Sequence, residues 1–344
     1  MNPPSPPNPP LPDVGRGGLR NSPEELPHLP ETASGGLGGE GGFVLRRFRF
    51  GVNATTASAQ EWRETARKAE ALGFDTLIAQ DHVGAQLAPL PALVAAAEVT
   101  SRLRLATLVL DNDFRHPALV AQEAATVDVL SGGRMELGLG AGWLESDYAR
   151  TGIAFESPAV RLGRLAEAVQ ICKACFSCEQ PVSFRGAYYC IQELNPLPRP
   201  VQKPRLPIMV GGRRRRTLSL AAREADIVSI SLLDRPVAGE PPPPTFAEKV
   251  AWVRSAAGER FSSLQLHVNA SVVDITDDPS EALAAFAART GQPREEALGS
   301  PGVLGGSVDA VVEKLHASRE QFGVNYWVIH ARNMHAFAKV IARL

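Results

Sequence analysis

Charge of one sign is what this sequence most lacks: 36 Lys and Arg stand against 37 Asp and Glu in 344 residues, a formal net charge of −1. That balance provides neither the basic footprint of a nucleic-acid binder nor a polybasic membrane anchor. Long apolar runs are also missing, and those present are broken by charges well short of the roughly 20 residues of a bilayer span, which excludes a transmembrane helix. No basic start followed by an apolar segment marks a secretory signal, so the expected compartment is the cytoplasm. Cysteine is scarce, with only Cys172, Cys175, Cys178 and Cys190. Their spacing superficially resembles that of iron-sulfur ligands. The first three, however, continue the apolar side of a helical pattern running from Leu162 to Phe176, and free reduced thiols are expected instead. No His, Asp and Glu set has metal-ligand spacing, and no serine or cysteine nucleophile motif is present, which argues against metal and triad hydrolases alike.

What is there divides in two. Residues 1–45 begin with crowded prolines, Pro3-Pro4, Pro6-Pro7 and Pro9-Pro10, and pass into a glycine-rich stretch at 33–42. Such a composition cannot bury a core, and a disordered tail is expected there. From residue 46 to 344, short apolar runs alternate with amphipathic helical patterns. Eight strands are expected, at Phe48–Asn53, Thr76–Ala79, Leu103–Leu110, Met135–Leu139, Pro207–Val210, Ile227–Ile230, Leu264–Val273 and Tyr326–His330. Helical segments are expected between them, near 60–71, 91–99, 117–130, 158–176, 214–224, 246–258 and 280–289, with another near 307–321. Eight such units predict a single α/β domain, a closed (β/α)8 TIM barrel, with a doubly wound open sheet as the other possibility. Residues 179–204 and 232–245 read as excursions from that plan.

In such a barrel the chemistry sits at the C-terminal strand ends. Gln80-Asp81-His82 follows the second strand, and Gly138-Leu139-Gly140-Ala141-Gly142-Trp143 covers the end of the fourth. Gly211-Gly212 closes the fifth and runs through Arg213-Arg214-Arg215-Arg216-Thr217 into a helix. His82 is the candidate for proton transfer, because an imidazole titrates near neutral pH and an adjacent carboxylate, Asp81, can fix its tautomer. The glycines of the fourth strand would let a flat ligand approach the backbone. The glycine pair of the fifth, opening a helix and followed by four arginines, suits a phosphate.

Taken together, these segments and their order resemble the luciferase-like monooxygenase superfamily, and within it the branch of oxidoreductases dependent on the deazaflavin coenzyme F420. The resemblance is carried from residue 47 onward by Arg49-Phe50-Gly51-Val52, Asp81-His82, Phe114-Arg115-His116-Pro117, Leu130-Ser131-Gly132-Gly133-Arg134, the Gly138–Trp143 turn and Pro207–Gly212. It implies a flavin-like ring lying across the barrel mouth, with His82 facing the reacting centre. A bulge with a non-prolyl cis peptide near Thr107, Leu108 and Val109 would support the ring, along with Gly140, Ala141 and Gly142. Gly211, Gly212, Arg213, Arg216 and Thr217 would hold the phosphate, and the arginine run would suit an acidic oligoglutamate tail. The implied reaction is hydride transfer between the deazaflavin and a C=C, C=N or C=O bond of a small molecule, or of a dehydroamino acid in a modified peptide. An FMN-dependent monooxygenase is the rival reading, and a catalytically silent cofactor- or protein-binding relative a third. A homodimer is implied as well. Sugar-phosphate dehydrogenases of the branch carry an acid where this chain has Trp143, which turns the expectation away from a sugar phosphate.

Overall fold

The computed structural model describes residues 46–84, 86–232, 234, 243–290 and 299–344. The expectation for residues 1–45 therefore lies outside the described residues, as does most of the excursion at 232–245. Eight parallel strands form a closed ring: β1 (Arg49–Asn53), β2 (Thr76–Ala79), β3 (Arg104–Thr107), β5 (Met135–Gly140), β8 (Ile208–Gly212), β9 (Ile227–Ile230), β10 (Gln265–Asn269) and β13 (Val324–His330). Pairing of β1 with β13 at one side and of β3 with β5 at the other leaves no open edge, so the barrel reading holds and the open sheet does not.

The helices α1 (Ala59–Ala71), α2 (Pro89–Ala97), α3 (Pro117–Leu130), α5 (Pro158–Ser177), α6 (Arg215–Glu224), α7 (Phe246–Ala257), α8 (Ser280–Thr290) and α9 (Val308–Phe322) match the predicted segments, and α10 (Met334–Ile341) follows β13. Their starts are written locally. Ser58, Ser157 and Ser307 accept a backbone N–H at the N-termini of α1, α5 and α9, and Thr245 with Glu248 forms a full capping box on α7. In α1 the buried residues Trp62, Ala66 and Ala69 lie on one face at helical spacing, and the Trp62 indole N–H donates to the Ala92 carbonyl at 2.6 Å.

The third run carries the bulge that the resemblance implies: β3 ends at Thr107, the Leu108–Val109 peptide is the expected non-prolyl cis bond, and Leu110–Asp111 re-forms as β4 against the end of β5, so the run Leu103–Leu110 is not one continuous strand. The seventh run stops at Asn269, because the next residues change partner; β11 (Val272–Ile275) pairs with β12 (Val303–Gly306) in a separate two-stranded ladder. The excursion at 179–204 contains an antiparallel hairpin, β6 (Val182–Arg185) and β7 (Cys190–Leu194), whose turn is pinned by the Glu167 carboxylate accepting the N–H groups of Ala187, Tyr188 and Tyr189.

Inside the ring, the N-terminal end is sealed by charge. The Arg49 guanidinium donates to Glu136, Gln265 and Thr76, Arg104 also pairs with Glu136, and the Tyr326 ring lies 4.3 Å from the Arg49 guanidinium. Burial alone would raise the Glu136 pKa, but the two guanidinium groups hold it below the ordinary carboxylate value. Apolar side chains of Ile78, Ala106, Leu108, Met209, Ile227 and Val328 fill the barrel centre. Only the C-terminal end is left for chemistry. Among the described residues no helix is long and apolar enough to cross a membrane.

Candidate active site

The break in the third strand shapes the floor of the mouth. A Cβ on Gly138 would lie 1.9 Å from the Thr107 carbonyl oxygen, and one on Gly140 would lie 2.5 Å from Val109 Cγ2. Val109 Cγ1 would also be 3.2 Å from a Cβ on Gly211. These glycines therefore make room for the bulge at Thr107–Val109 itself. The space that a side chain on Gly138 or Gly140 would take is thus filled by the Thr107 carbonyl and the Val109 side chain. Gly142 is similarly occupied: its φ is +73°, and a Cβ there would meet the Tyr148 hydroxyl at 2.0 Å and the Asp111 carboxylate at 2.5 Å. Thr107 Oγ1 ties the floor across strands, accepting from the Gly138 N–H at 2.8 Å and donating to the Gly138 carbonyl at 2.9 Å.

His82 stands on the loop after β2, partly exposed. Its Nδ1 lies 2.7 Å from Asp147 Oδ2, on the short helix α4 (Glu145–Thr151) after β5. With a buried carboxylate there, Nδ1 carries the proton and donates it, which leaves Nε2 as the ring's other polar atom. The expectation paired His82 with Asp81, but that carboxylate is committed elsewhere. It accepts from Arg115 at 2.6 and 3.1 Å and from the Asp111 N–H at 3.0 Å, a bidentate pair that braces the loops after β2 and β4. Asp147 is the residue the sequence reading missed.

A second carboxylate also went unread. Asp111 accepts the Tyr148 hydroxyl at 2.8 Å and the Asp113 N–H at 3.0 Å. Burial chiefly, aided by the negative neighbours Asp113 and Asp81, pushes its pKa up to about 6. Burial and the bond to Asp111 push the Tyr148 hydroxyl up as well. Arg161, 7% exposed, locks the loop above this pair by donating to the carbonyls of Ala141 and Gly142 at 2.9 and 2.5 Å.

On the strand next to β5, Gly211 and Gly212 end β8, and Thr217 packs over Gly212, its Cγ2 2.6 Å from where a Cβ would be. Arg214 is the N-cap of α6 and Arg215 its first residue, and all four side chains from Arg213 to Arg216 are exposed. The turn thus brings backbone N–H groups, a helix N-terminus and a cationic rim together, an arrangement suited to an anion. Under the mouth, buried polar atoms remain without a protein partner: Asn53 Oδ1 at the end of β1, and Nε2 of His267, whose Nδ1 lies 2.9 Å from Ser229 Oγ. Burial next to Arg49 lowers the His267 pKa to about 3 and keeps that ring neutral. His116 and His330 are helix caps, each accepting a backbone N–H through Nδ1.

Away from the mouth, Cys172 and Cys175 are buried in α5, and Cys178, expected on the same apolar side, is exposed at the residue that ends the helix. Among the described residues no group of His, Cys, Asp and Glu could hold a metal ion.

Residues 41–321 match the family model described as luciferase-like monooxygenase. An F420-dependent glucose-6-phosphate dehydrogenase of Microbacterium testaceum is 32% identical over 188 residues, 52% of this chain and 55% of that protein. An FMNH(2)-dependent dimethylsulfone monooxygenase of Pseudomonas fluorescens is 28% identical over 249 residues, 70% of this chain and 64% of that protein. The chain thus spans little more than half the length of the first of these relatives and just under two thirds of the second. Among solved structures, the coenzyme F420 dependent tetrahydromethanopterin reductase from Methanopyrus kandleri superposes with a TM-score of 0.68 at 19% identity, covering 87% of this chain and 99% of that one, a likeness of fold.

Proposed function

Because the chain belongs to the luciferase-like monooxygenase family, we propose that it is an oxidoreductase whose barrel mouth holds the deazaflavin coenzyme F420 and reduces an organic C=C, C=N or C=O bond. The observation that carries this reading is the pairing, on one rim, of a His–carboxylate dyad with an arginine-rich anion site on the strand next to the one that leads to the carboxylate. The residues fit the group. The bulge at Thr107–Val109 offers a floor, Asn53 Oδ1 an unpaired acceptor beneath it, and Gly211, Gly212 and Thr217 with Arg213 and Arg216 a site for phosphate and an acidic tail. When bound, a reduced deazaflavin supplies a hydride.

The chain's own residues supply the rest. Asp147 holds the His82 ring through Nδ1–H, which leaves Nε2 to give or take the proton that accompanies hydride transfer. Asp81 and Arg115 fix the His82 loop from below, and Arg161 fixes the loop that carries α4. The FMNH(2)-dependent relative supports the alternative reading, in which the same mouth takes FMN and activates oxygen. Oxygen uptake separates them. Protein loaded with reduced F420 should consume no oxygen above the free cofactor, whereas substrate-dependent oxygen consumption with reduced FMN, and inertness with F420, would establish the monooxygenase.

A further inference from the structure

The loop after β5 places a tryptophan where the proposed chemistry occurs. Trp143 is 67% exposed, more than any other exposed large hydrophobic residue in the described structure, and its ring meets the His82 ring in a T-shaped contact with centroids 5.9 Å apart at 84°. The backbone that carries it is held firmly. Arg161 bonds the two carbonyls just before it and stacks on Phe155 at 4.0 Å, and Gly142 is fixed in a left-handed turn packed against Tyr148 and Asp111. A large indole displayed on a rigid turn contributes little to the core, because most of its surface stays in water. Preorganised, exposed aromatic surface is suited to recognising a flat apolar partner at small entropic cost.

Resting on the F420 reading above, we propose that Trp143 is a specificity-determining residue that packs against a planar, conjugated, apolar part of the substrate and so sets its reacting bond beside His82. The charges around it favour this class. The two carboxylates that brace His82 and its loop are engaged, Asp147 by His82 and Arg150 and Asp81 by Arg115, so neither is left to select a cationic substrate. The indole offers one N–H donor against the many hydroxyl groups of a sugar, whereas a conjugated ring can stack on its whole face.

The test uses full-length protein saturated with F420 and two probes, the aryl enone 4-phenyl-3-buten-2-one and glucose 6-phosphate, with binding read by calorimetry. The wild type should bind the enone in preference to the sugar phosphate. Trp143→Ala should weaken enone binding by about 10-fold, and Trp143→Phe should restore it to within about 3-fold, as loss and recovery of one aromatic contact predict. F420 affinity, titrated separately by fluorescence, should be unchanged in both variants. Preference for the sugar phosphate, equal enone binding by wild type and Trp143→Ala, or loss of F420 binding in Trp143→Ala would each overturn the assignment. Failure of the wild type itself to bind F420 would overturn the parent reading and this inference with it, an outcome the separate titration identifies.

Discussion

If the bulge at Thr107–Val109 is built into the floor by glycines, adding one methyl group at chosen positions should have effects that differ by partner. A Cβ on Gly140 would sit 2.5 Å from Val109 Cγ2, about an ångström inside ordinary contact. Overpacking of this kind costs about 1–3 kcal/mol, which for a domain of this size lowers Tm by about 2–5 °C. Val109→Ala removes the clashing atom and on its own costs about 1–2 kcal/mol for the lost packing. The double variant Gly140→Ala/Val109→Ala should therefore be more stable than the sum of the single losses by about 1 kcal/mol or more. Gly138→Ala is the control, because its methyl would lie 1.9 Å from the Thr107 carbonyl oxygen, a backbone atom that Val109→Ala does not remove, with Val109 Cγ1 a lesser neighbour at 3.2 Å. Denaturant unfolding of the five variants and wild type, followed by circular dichroism, measures all the terms. Additivity of Gly140→Ala and Val109→Ala to within about 0.5 kcal/mol, or rescue of Gly138→Ala by Val109→Ala, would refute the packing argument.

Three further outcomes follow from the site. Asp147→Asn should lower kcat for oxidation of reduced F420 by an enone about 10- to 100-fold with F420 affinity within a few fold, as removal of a group that orients a general acid predicts; unchanged kcat would remove Asp147 from the mechanism. Asp111, raised from 3.8 to about 6, binds its proton more tightly in the folded state, so its stabilising contribution is complete below pH 3.8 and is lost as pH rises through 6. Asp111→Asn should accordingly gain about 1–2 kcal/mol relative to wild type between pH 4.5 and 7.5, read from urea midpoints, and a pH-independent difference would contradict the assigned shift. Removal of residues 1–44 should leave far-ultraviolet circular dichroism and F420 affinity unchanged, since their composition cannot form a core; loss of either would show that the segment belongs to the fold.

The barrel was legible in the sequence because each strand is a short apolar run and several of the helices between them open on a capping residue, as at Ser58, Ser157 and Thr245. His82 and the Gly211–Thr217 turn were legible for a related reason, being fixed to strand ends by chain position alone. Asp147 was not, because it is 65 residues from His82 and meets it only when β2 and β5 take their places in the ring. A local signal existed, since Glu145 and Asp147 open a short helix directly after the glycine turn, but nothing local says where that helix points. The purpose of Gly138 and Gly140 was hidden likewise: a glycine records that space is needed, not whether a ligand or a neighbouring strand takes it. Asp81 shows the converse, a residue whose chain neighbour suggested one partner while the fold gave it Arg115.

The most direct test of the central claim is a fluorescence titration of the full-length protein with F420 and with FMN, each in reduced form and without oxygen, repeated on Arg213→Ala/Arg216→Ala. The account predicts tighter binding of F420 than of FMN by the wild type, an F420 affinity that falls with added salt, and a loss of at least about 10-fold in the arginine variant. Tighter binding of FMN, or F420 binding indifferent to both salt and the two arginines, would contradict it.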